Sequence, residues 1–486
     1  MFALIFAAVF SIADYGAKAD GSKCTAAFAK AIAACTPGGR VTVPKGEWFT
    51  GSVRLKSDME LHLEDGAVVR FSDDPKDCLP VVRSTFEGQE AVNYCPLVYA
   101  FGCTNVAVTG RGTFVTDQTK WRALQLMLER APEWRAHYDE FNAWSRANTR
   151  PPEARDLTQW GEPWVFRPHF MQFNRCRNVR LEGFKIRYSP FWLVELLCSE
   201  DIVCRGLDLF GMFGNSDGID IESSKRVLIE NCTLDQADDA FCVKSGRDEE
   251  GRRRGIPTED VEIRNCRVKH SGGFFTVGSE ISGGARNICI HDCTADVVRD
   301  VFVLRSYASR GGHIENVTME NCKIDRCNRW FFATRLGWPV DPKKVSADRV
   351  CWTTYDGITV RNVSVGDCGS SYNIIGAPAA KYRGIRIENC EIGHLRRPET
   401  NALVNVEASV DVSGLRLKNL PKPDRRHINA DELLLRPDFD YAAIAEHYGR
   451  DLILDYKKGD GPNERLRWER LHNLRRTGWE INITQP

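Results

Sequence analysis

The amino-acid sequence predicts an all-β fold, a parallel β-helix of about ten coils. The first observation is a repeat, in which short segments of alternating apolar and polar residues recur along most of the chain. The second is their spacing, because the first apolar residues of six successive copies lie 23, 25, 34, 27 and 29 residues apart. The third is that no helical segment separates these strands, which does not favour leucine-rich or βαβ arrangements. Strands that recur every ~20–35 residues are typical of a solenoid whose coils stack about 4.8 Å apart.

Ten copies of the repeat support this prediction, and most of them end in a Gly, Asn or Asp turn. They read NVAVTG (105–110), NVRLEG (178–183), DIVCRG (201–206), RVLIENC (226–232), DVEIRNC (260–266), NICIHDC (287–293), NVTMENC (316–322), GITVRNV (357–363), GIRIENC (384–390) and GLRLKNL (414–420). The uneven spacing indicates loops inserted at some corners, which is where binding sites usually lie.

Several copies end in Asn-Cys, which indicates an internal ladder at one corner of the coils. The Asn side chains would satisfy backbone groups of the turn, and the Cys side chains would fill the core. The chain has 18 Cys but no Cys-x-x-Cys pair. We therefore expect buried, inert thiols, and we expect neither a metal nor another cofactor.

The repeat defines one domain at 11–424, interrupted and flanked by other segments. Residues 119–168 have helical spacing and five Trp, and they predict a helical insert that packs on the flank of the solenoid or forms a rim over a cleft. Residues 425–486 are charged and partly helical, as expected of a C-terminal cap over the last coil. Residues 1–10 are apolar and are a candidate remnant of a secretory signal, so we expect a secreted or periplasmic protein.

The charge balance argues against some classes of partner. The chain has 66 Lys and Arg and 66 Asp and Glu, so its net charge is zero. This balance does not favour general binding to nucleic acid or to a membrane, and no apolar run is long enough for a transmembrane helix. A local basic cleft is still compatible with it.

A second strand in each coil brings three carboxylates together. The segments SDGIDIES (216–223), DDAFCVKS (238–245), GGFFTVGS (272–279) and RDVFVLRS (299–306) align without gaps. In this register Asp217 and Asp239 lie on neighbouring coils, and Asp238 lies beside them. Carboxylates this close do not all ionise at ordinary pKa values, so one pKa should be raised. A raised acid beside ionised carboxylates suits glycoside hydrolysis, although Asp at strand-entry turns is also common in purely structural roles.

These motifs resemble those of glycoside hydrolase family 28, the polygalacturonases and related pectin hydrolases. The resemblance covers roughly residues 11–420 and includes SIADYGAKADG, NSDGIDIES, DQADDAFCVKSG and VGSEISGGARNI. It implies a right-handed β-helix and an inverting reaction without a covalent intermediate. It also implies that Asp238 is the general acid and that Asp217 and Asp239 activate water. Asn215 matches the first residue of the family's Asn-Thr-Asp motif and is a candidate for catalytic support.

The sequence departs from the family pattern at two positions. The family's His aligns with Gly273, and His270 can reach the site only if the turn bulges. The family's Arg aligns with Val303, whereas its Lys aligns with Arg305. Arg can bind a carboxylate through two hydrogen bonds, which suits an acidic sugar.

Three basic residues are candidates for binding an acidic substrate. They are Lys244 and Arg305, which share a column, that is, the same position in the aligned second strands, and Arg252 in the loop that follows the strand of Lys244. A solvated loop with self-paired charges is the alternative for Arg252. The expected partner is therefore a pectic polysaccharide or oligosaccharide.

The leading hypothesis is an inverting hydrolase of α-linked galacturonic acid, with attack at chain ends because the insert at 119–168 would block an open groove. A rhamnogalacturonan hydrolase or another family-28-like glycosidase is the alternative, since the family's His and Arg are changed. A polysaccharide lyase on the same solenoid would need calcium carboxylates and a basic residue that abstracts a proton. A non-catalytic carbohydrate-binding solenoid would not explain three Asp at positions that stack.

Overall fold

The computed structural model describes residues 8–116, 121, 156, 166–212, 214–336, 349–377, 382–423, 425–434, 452–457, 467, 470–471, 474 and 479–484. The predicted helical insert at 119–168 lies almost wholly outside the described residues. The same holds for much of the predicted C-terminal cap.

Strands dominate the described chain. In chain order they are β1 (Val9–Ser11), β2 (Gly39–Val43), β3 (Gly46–Thr50), β4 (Val53–Arg54), β5 (Met59–Leu63), β6 (Ala67–Phe71), β7 (Val82–Phe86), β8 (Gln89–Asn93), β9 (Val98–Phe101), β10 (Thr104–Gly110), β11 (Thr113–Thr116), β12 (Met171–Asn174), β13 (Arg177–Glu182), β14 (Lys185–Arg187), β15 (Val194–Leu197), β16 (Glu200–Arg205), β17 (Asp208–Gly211) and β18 (Ile219–Glu222). They continue with β19 (Lys225–Glu230), β20 (Thr233–Gln236), β21 (Phe241–Lys244), β22 (Thr258–Arg264), β23 (Arg267–Val277), β24 (Ala285–His291), β25 (Thr294–Arg305), β26 (His313–Glu320), β27 (Lys323–Arg335), β28 (Thr354–Arg361), β29 (Ser364–Ile375), β30 (Ile385–Glu388), β31 (Cys390–Leu395), β32 (Ala402–Val404), β33 (Leu415–Leu417), β34 (Arg426–Asn429), β35 (Leu452–Lys457) and β36 (Glu480–Thr484).

The helices are few and short. They are α1 (Thr25–Ala34), α2 (Asp248–Arg254) and α3 (Ala430–Leu434), with 3₁₀ turns at Ile12–Tyr15, Pro75–Cys78 and Pro398–Thr400. Among the described residues, no helix has the length and apolar character needed to cross a membrane.

The strands form the predicted right-handed parallel β-helix. One sheet of twelve strands runs from β1 to β30, and a second of nineteen strands forms the remaining faces of the coils. The register follows the sequence repeat, because Val179 pairs with Ile202, which pairs with Val227, and Val227 with Val261. These side chains are buried in one continuous core. The alternating pattern therefore places each apolar residue directly above its counterpart on the preceding coil.

The corners of the coils form the predicted ladder. Asn321, Asn362 and Asn389 have φ between 47° and 54°, in the left-handed region that Asn tolerates better than most residues. The amide of Asn389 donates to Asn362 at 2.7 Å, and that of Asn362 donates to Asn321 at 3.1 Å. Just after this corner the thiols stack inward, and the backbone N–H of Cys266 donates to Cys293 Sγ at 3.4 Å. All 18 Cys are free thiols.

The N-terminal end of the solenoid begins earlier than the sequence suggested. Val9 and Phe10 belong to β1, which pairs in parallel with β2. Helix α1 follows and buries Phe28 and Ile32 against the first coil. Its apolar face covers strand edges that would otherwise be open.

Some described residues of the C-terminal segment contact the middle of the solenoid. Leu454 and Trp479 pack in a cluster with Met212, which lies in the middle of the solenoid. In the last coils Val404 and Leu420 stay exposed. Arg425, at the start of this segment, forms a buried ion pair with Asp367.

One antiparallel hairpin, β7–β8, is the exception to the parallel pairing in the described chain. It covers the outer face of β15, where Thr85 donates to Glu195 at 2.8 Å. It also contacts α2, because the backbone N–H of Glu90 donates to Glu250 at 2.7 Å and Arg247 pairs with Glu87 at 3.1 Å. Hairpin and helix together form a wall beside β21.

Candidate active site

The second strands of the coils stack in the register predicted from the sequence. Ile219 is opposite Phe241. Asp217 and Asp239 each stand two residues before these partners, so they occupy equivalent positions on neighbouring coils. The backbone N–H of Gly218 donates to the carbonyl of Asp239 at 2.9 Å, which fixes the two coils to each other at this point.

Asp239 is fully buried and surrounded by donors. The backbone N–H of Gly273 donates to its Oδ1 at 2.8 Å, and Arg305 contacts both carboxylate oxygens, at 3.2 and 3.0 Å. Burial would raise the pKa of this carboxyl, but the neighbouring cations, Arg305 and Arg299 above all, outweigh burial and lower the pKa below its usual value. Asp239 is therefore ionised at neutral pH.

Asp217 has the opposite environment. Burial, reinforced by the carboxylates of Asp220 and Asp238, raises its pKa well above the usual value. The nearest cation is Lys244, whose Nζ lies 3.9 Å from Asp217 Oδ2, too far for a hydrogen bond. From the sequence we expected one carboxyl of the trio to have a raised pKa, and in the structure this carboxyl is that of Asp217.

Asp238 is the most accessible of the three carboxylates. It is partly exposed, and its Oδ2 accepts from the backbone N–H of Asn215 at 3.1 Å. Asn215 has a φ of 60°, and its side-chain oxygen accepts from Arg167 at 2.9 Å. Arg167 is buried and also donates to the carbonyls of Pro190 and Gly214. This arginine, which the sequence analysis did not single out, holds the turn that carries Asn215.

Lys244 lies beneath the site instead of facing a substrate. Its side chain is 4% exposed, and its Nζ lies 3.0 Å from Glu280 and 3.6 Å from Asp220. It also sits 4.4 Å from the ring centre of Trp192, a cation–π contact. The prediction that Lys244 binds substrate directly is therefore not favoured, because its charge is already matched by buried carboxylates.

Arg252 is likewise engaged in packing between elements. It lies in α2, and its guanidinium donates to the carbonyls of Ser309 and Arg310 at 2.5 and 2.9 Å and to Glu249 at 2.8 Å. These bonds attach the helix to the turn of a later coil. The predicted substrate contact would have to replace them.

His270 and Gly273 show how the chain differs at the family's histidine position. The pairing register of β20 and β23 shifts between Leu234 and Asp235, and His270 Nδ1 lies 3.0 Å from the carbonyl of Gln236. At Gly273 a Cβ would lie 2.7 Å from Asp239 Oδ1, closer than real contacts allow. A histidine side chain at 273 would therefore displace the buried carboxylate.

Arg299 is a functional candidate that the sequence analysis missed. It is the first residue of the segment RDVFVLRS and shares a column with Asp238 and Gly272. Its Nη2 lies 3.8 Å from Asp239 Oδ1, and its Nε donates to Asp300 at 3.2 Å. The signal was present in the same alignment that revealed the three aspartates, in the column next to theirs.

One group of described residues has donor atoms close enough to hold a metal ion. Asp217, Asp220 and Cys242 place ligand atoms within 4.8 Å of one another, all of them buried. The ammonium group of Lys244 lies against both carboxylates and supplies the positive charge that a cation would bring. Without a metal, the arrangement is suited to general acid–base chemistry between carboxylates of unequal pKa.

Comparison with known proteins places these features in a family. Residues 165–407 match the model of glycosyl hydrolases family 28, and this range contains all three aspartates. A probable polygalacturonase of Vitis vinifera is 25% identical over 403 residues, covering 79% of this chain and 74% of that protein. An exo-poly-alpha-D-galacturonosidase of Dickeya chrysanthemi is 24% identical, covering 75% of this chain and 63% of that protein.

A solved structure agrees in fold and sequence. The exopolygalacturonase from Thermotoga maritima superposes with a TM-score of 0.74 at 30% identity, covering 83% of this chain and 91% of that one. The family match and this structure agree with the stacked strands and with the carboxylate site. The chain is a glycoside hydrolase and belongs to glycosyl hydrolases family 28.

Proposed function

We propose that this protein hydrolyses α-linked galacturonic acid in pectic polysaccharides or oligosaccharides, with inversion and from chain ends. The observation that carries the proposal is the trio of Asp217, Asp238 and Asp239, in which the pKa values of two members are pushed in opposite directions. Carboxyl groups with separated pKa values are what glycoside hydrolysis requires.

The roles follow from exposure and charge. Asp238 is partly exposed, so it can reach the glycosidic oxygen as general acid, in agreement with the family resemblance. Asp239 is ionised and buried below it, as suits the base that takes a proton from water. Asp217, with a raised pKa, shares the pocket as a protonated carboxyl that orients the same water.

An acidic substrate is supported by the cations near the trio. Arg299 and Arg305 lie against Asp239, and Arg329 and Arg335 follow on the next coil. Burial, and after it the neighbouring arginines, Arg329 first, lower the pKa of Arg335 to about 10. A uronate carboxylate would balance this charge, and the relatives named above are galacturonan hydrolases.

Action at chain ends is supported by the wall of hairpin β7–β8 and α2. The hairpin covers the coils before Asp217, since Asn174 donates to the carbonyl of Arg83 and Glu195 accepts from Thr85. On the following coils Arg329 and Tyr372 are partly exposed. A polymer would thus extend over one side of the site only. Both the Dickeya chrysanthemi relative and the Thermotoga maritima structure are named as exo-acting enzymes.

The deciding experiment is digestion of defined oligogalacturonides with product analysis. We expect galacturonic acid to accumulate from the first minutes, and nuclear magnetic resonance to show the β-anomer before mutarotation. Release of mid-sized oligomers would contradict chain-end attack, and unsaturated products that absorb near the ultraviolet edge would indicate a lyase. Turnover of rhamnogalacturonan oligomers in preference to galacturonan would favour the alternative suggested by Gly273 and Val303. A substrate of this kind also favours a location outside the cytoplasm.

A further inference from the structure

We infer that Arg299 binds the carboxylate of the galacturonate residue at the cleavage site, and that Arg305, which takes the place of the family's lysine, serves to hold Asp239. The inference rests on the proposed function and assigns the binding of the substrate's negative charge to one residue. It differs from the sequence expectation, in which Arg305 itself was the substrate clamp.

Arg299 has donors available and a fixed position. Its Nε donates to Asp300 Oδ2 at 3.2 Å, which anchors the guanidinium from one side. Its side chain is 28% exposed, and its Nη2 stops 3.8 Å short of Asp239 Oδ1, beyond hydrogen-bond range. In the described part of the chain neither of its Nη atoms has a hydrogen-bond partner. The Nη groups of this anchored, partly exposed guanidinium can form the fork that binds a carboxylate.

Two glycines make the position possible. Gly272 and Gly273 lie on the coil between those of Asp238 and Arg299. Gly272 shares the column of these two residues, so no side chain separates Asp238 from Arg299. A Cβ at Gly272 would lie 3.1 Å from Arg299 Nη2 and equally close to the backbone carbon of Asp238. The guanidinium therefore extends back across one coil and lies over the aspartate pair, where a sugar must sit.

Arg305 lacks this freedom. Both of its Nη atoms contact Asp239, at 3.0 and 3.2 Å, and the residue is only 9% exposed. A substrate carboxylate at Arg305 would compete with the buried anion that the reaction needs. Arg329 is also engaged, because Nε and Nη2 both donate to Asp300. Unlike Arg305 and Arg329, Arg299 combines an anchor at Asp300 with Nη groups that make no hydrogen bond to the described residues.

The test compares a charged substrate with its neutral isostere. Trigalacturonate and its triamide have the same shape, and the ratio of their kcat/KM values measures selectivity for the carboxylate. We expect Arg299→Gln to lower this ratio about tenfold to a hundredfold, mainly through KM, as loss of one charge-assisted contact predicts. Arg305→Gln should depress activity on both substrates alike and leave the ratio close to that of the wild type. If the amide is not turned over, its inhibition constant replaces kcat/KM.

Matched variants keep the outcome interpretable. Arg299→Lys should restore part of the selectivity, since it keeps the charge and loses the fork. Arg267→Gln removes an arginine from the same strand layer, paired with Asp296 at 3.0 Å, and should change neither ratio nor folding. An unchanged ratio in Arg299→Gln, or a collapsed ratio in Arg305→Gln alone, overturns the inference. A wild-type protein inactive on galacturonan would instead defeat the proposed function, which the same assay shows first.

Discussion

Arg305 and Asp239 are joined across two coils by a pair of contacts, with Nη1 3.0 Å from Oδ2 and Nη2 donating to Oδ1 at 3.2 Å. The strands that carry them are separated by β23, which offers Gly278 in the column of Arg305 and Gly273 in the column of Asp239. The arginine can therefore cross the intervening coil. It keeps a carboxylate ionised at a depth where burial alone would protonate it.

Arg305→Gln should shift the pH dependence in a defined direction. Removing the guanidinium takes away the largest of the contributions that lower the pKa of Asp239, so this pKa rises and the acidic limb of kcat/KM moves to higher pH. In the wild type the lowered pKa contributes stability above the unfolded value of about 4, and this contribution is lost as pH falls. The variant should therefore be less stable by about 3–5 kcal/mol at pH 7, with a smaller difference at pH 4. Urea unfolding at both pH values and a pH–rate profile measure these effects, and an unmoved acidic limb would contradict them.

Substitutions of the three aspartates should differ in how their effect on activity depends on the leaving group of the substrate. Asp238→Asn should lose at least about a hundredfold on oligogalacturonides, because general acid catalysis contributes 10²–10⁴-fold, yet stay close to normal on an aryl galacturonide whose leaving group needs no proton. Asp239→Asn and Asp217→Asn should lose activity on both substrates, since each removes part of the water-activating unit. Asp260→Asn, at an exposed corner, is the matched control. If Asp238→Asn were equally impaired on both substrates, its role as acid would be excluded.

Lys244→Met should act on stability. Removing the ammonium leaves Asp220 buried without this cation and leaves Glu280 with Arg310 as its remaining ion-pair partner, a change that costs about 3–5 kcal/mol. The pKa of Lys244 is raised well above its usual value, burial being outweighed by the surrounding acidic groups, so its contribution is present up to alkaline pH and lost as pH rises beyond it. Lys225→Met removes an exposed partner of Glu200 and should cost less than about 1 kcal/mol. A Lys244→Met variant of normal stability but raised KM would restore the sequence-based role in substrate binding.

The sequence predicted the coil register because the alternation repeats locally and each coil meets its neighbour in the same way. Val179 above Ile202 and Asp217 above Asp239 needed only the strand spacing. The carboxylate trio was predicted on the same basis.

The contacts of the cations were not predictable in this way. Lys244 shares a column with Arg305, but one is paired with Glu280 and the other with Asp239. Those partners depend on how far a side chain reaches across glycine positions and on burial under the hairpin. The hairpin and α2 are far apart in sequence, since Glu90 and Glu250, which are in contact, are 160 residues apart. Strand periodicity contains no information about such distant contacts.

Gly273→Ala should test how tightly Asp239 is held. The new Cβ would meet Thr276 Oγ1 and, at 2.7 Å, Asp239 Oδ1, so the hydroxyl would have to rotate and the carboxylate would have to move away from the backbone N–H that binds it. We expect at least a tenfold loss of kcat with little change in KM, since misplacement of a catalytic group by about 1 Å has effects of this size. Normal kcat in Gly273→Ala would show that Asp239 has room to move.

Hairpin β7–β8 should determine the pattern of products. If it closes one side of the cleft, replacing residues 82–93 by a short glycine linker should open that side, and longer oligomers should appear beside galacturonic acid. The deletion also uncovers Glu195 and His169, which are buried beneath the hairpin, so stability must be measured in parallel. Glu250→Ala is the milder variant: it removes the acceptor of the Glu90 backbone N–H and loosens the hairpin without exposing these groups. We expect a graded shift, larger for the deletion than for Glu250→Ala, in chromatograms of early digests. Folded variants that still release only galacturonic acid would show that another part of the chain closes the cleft.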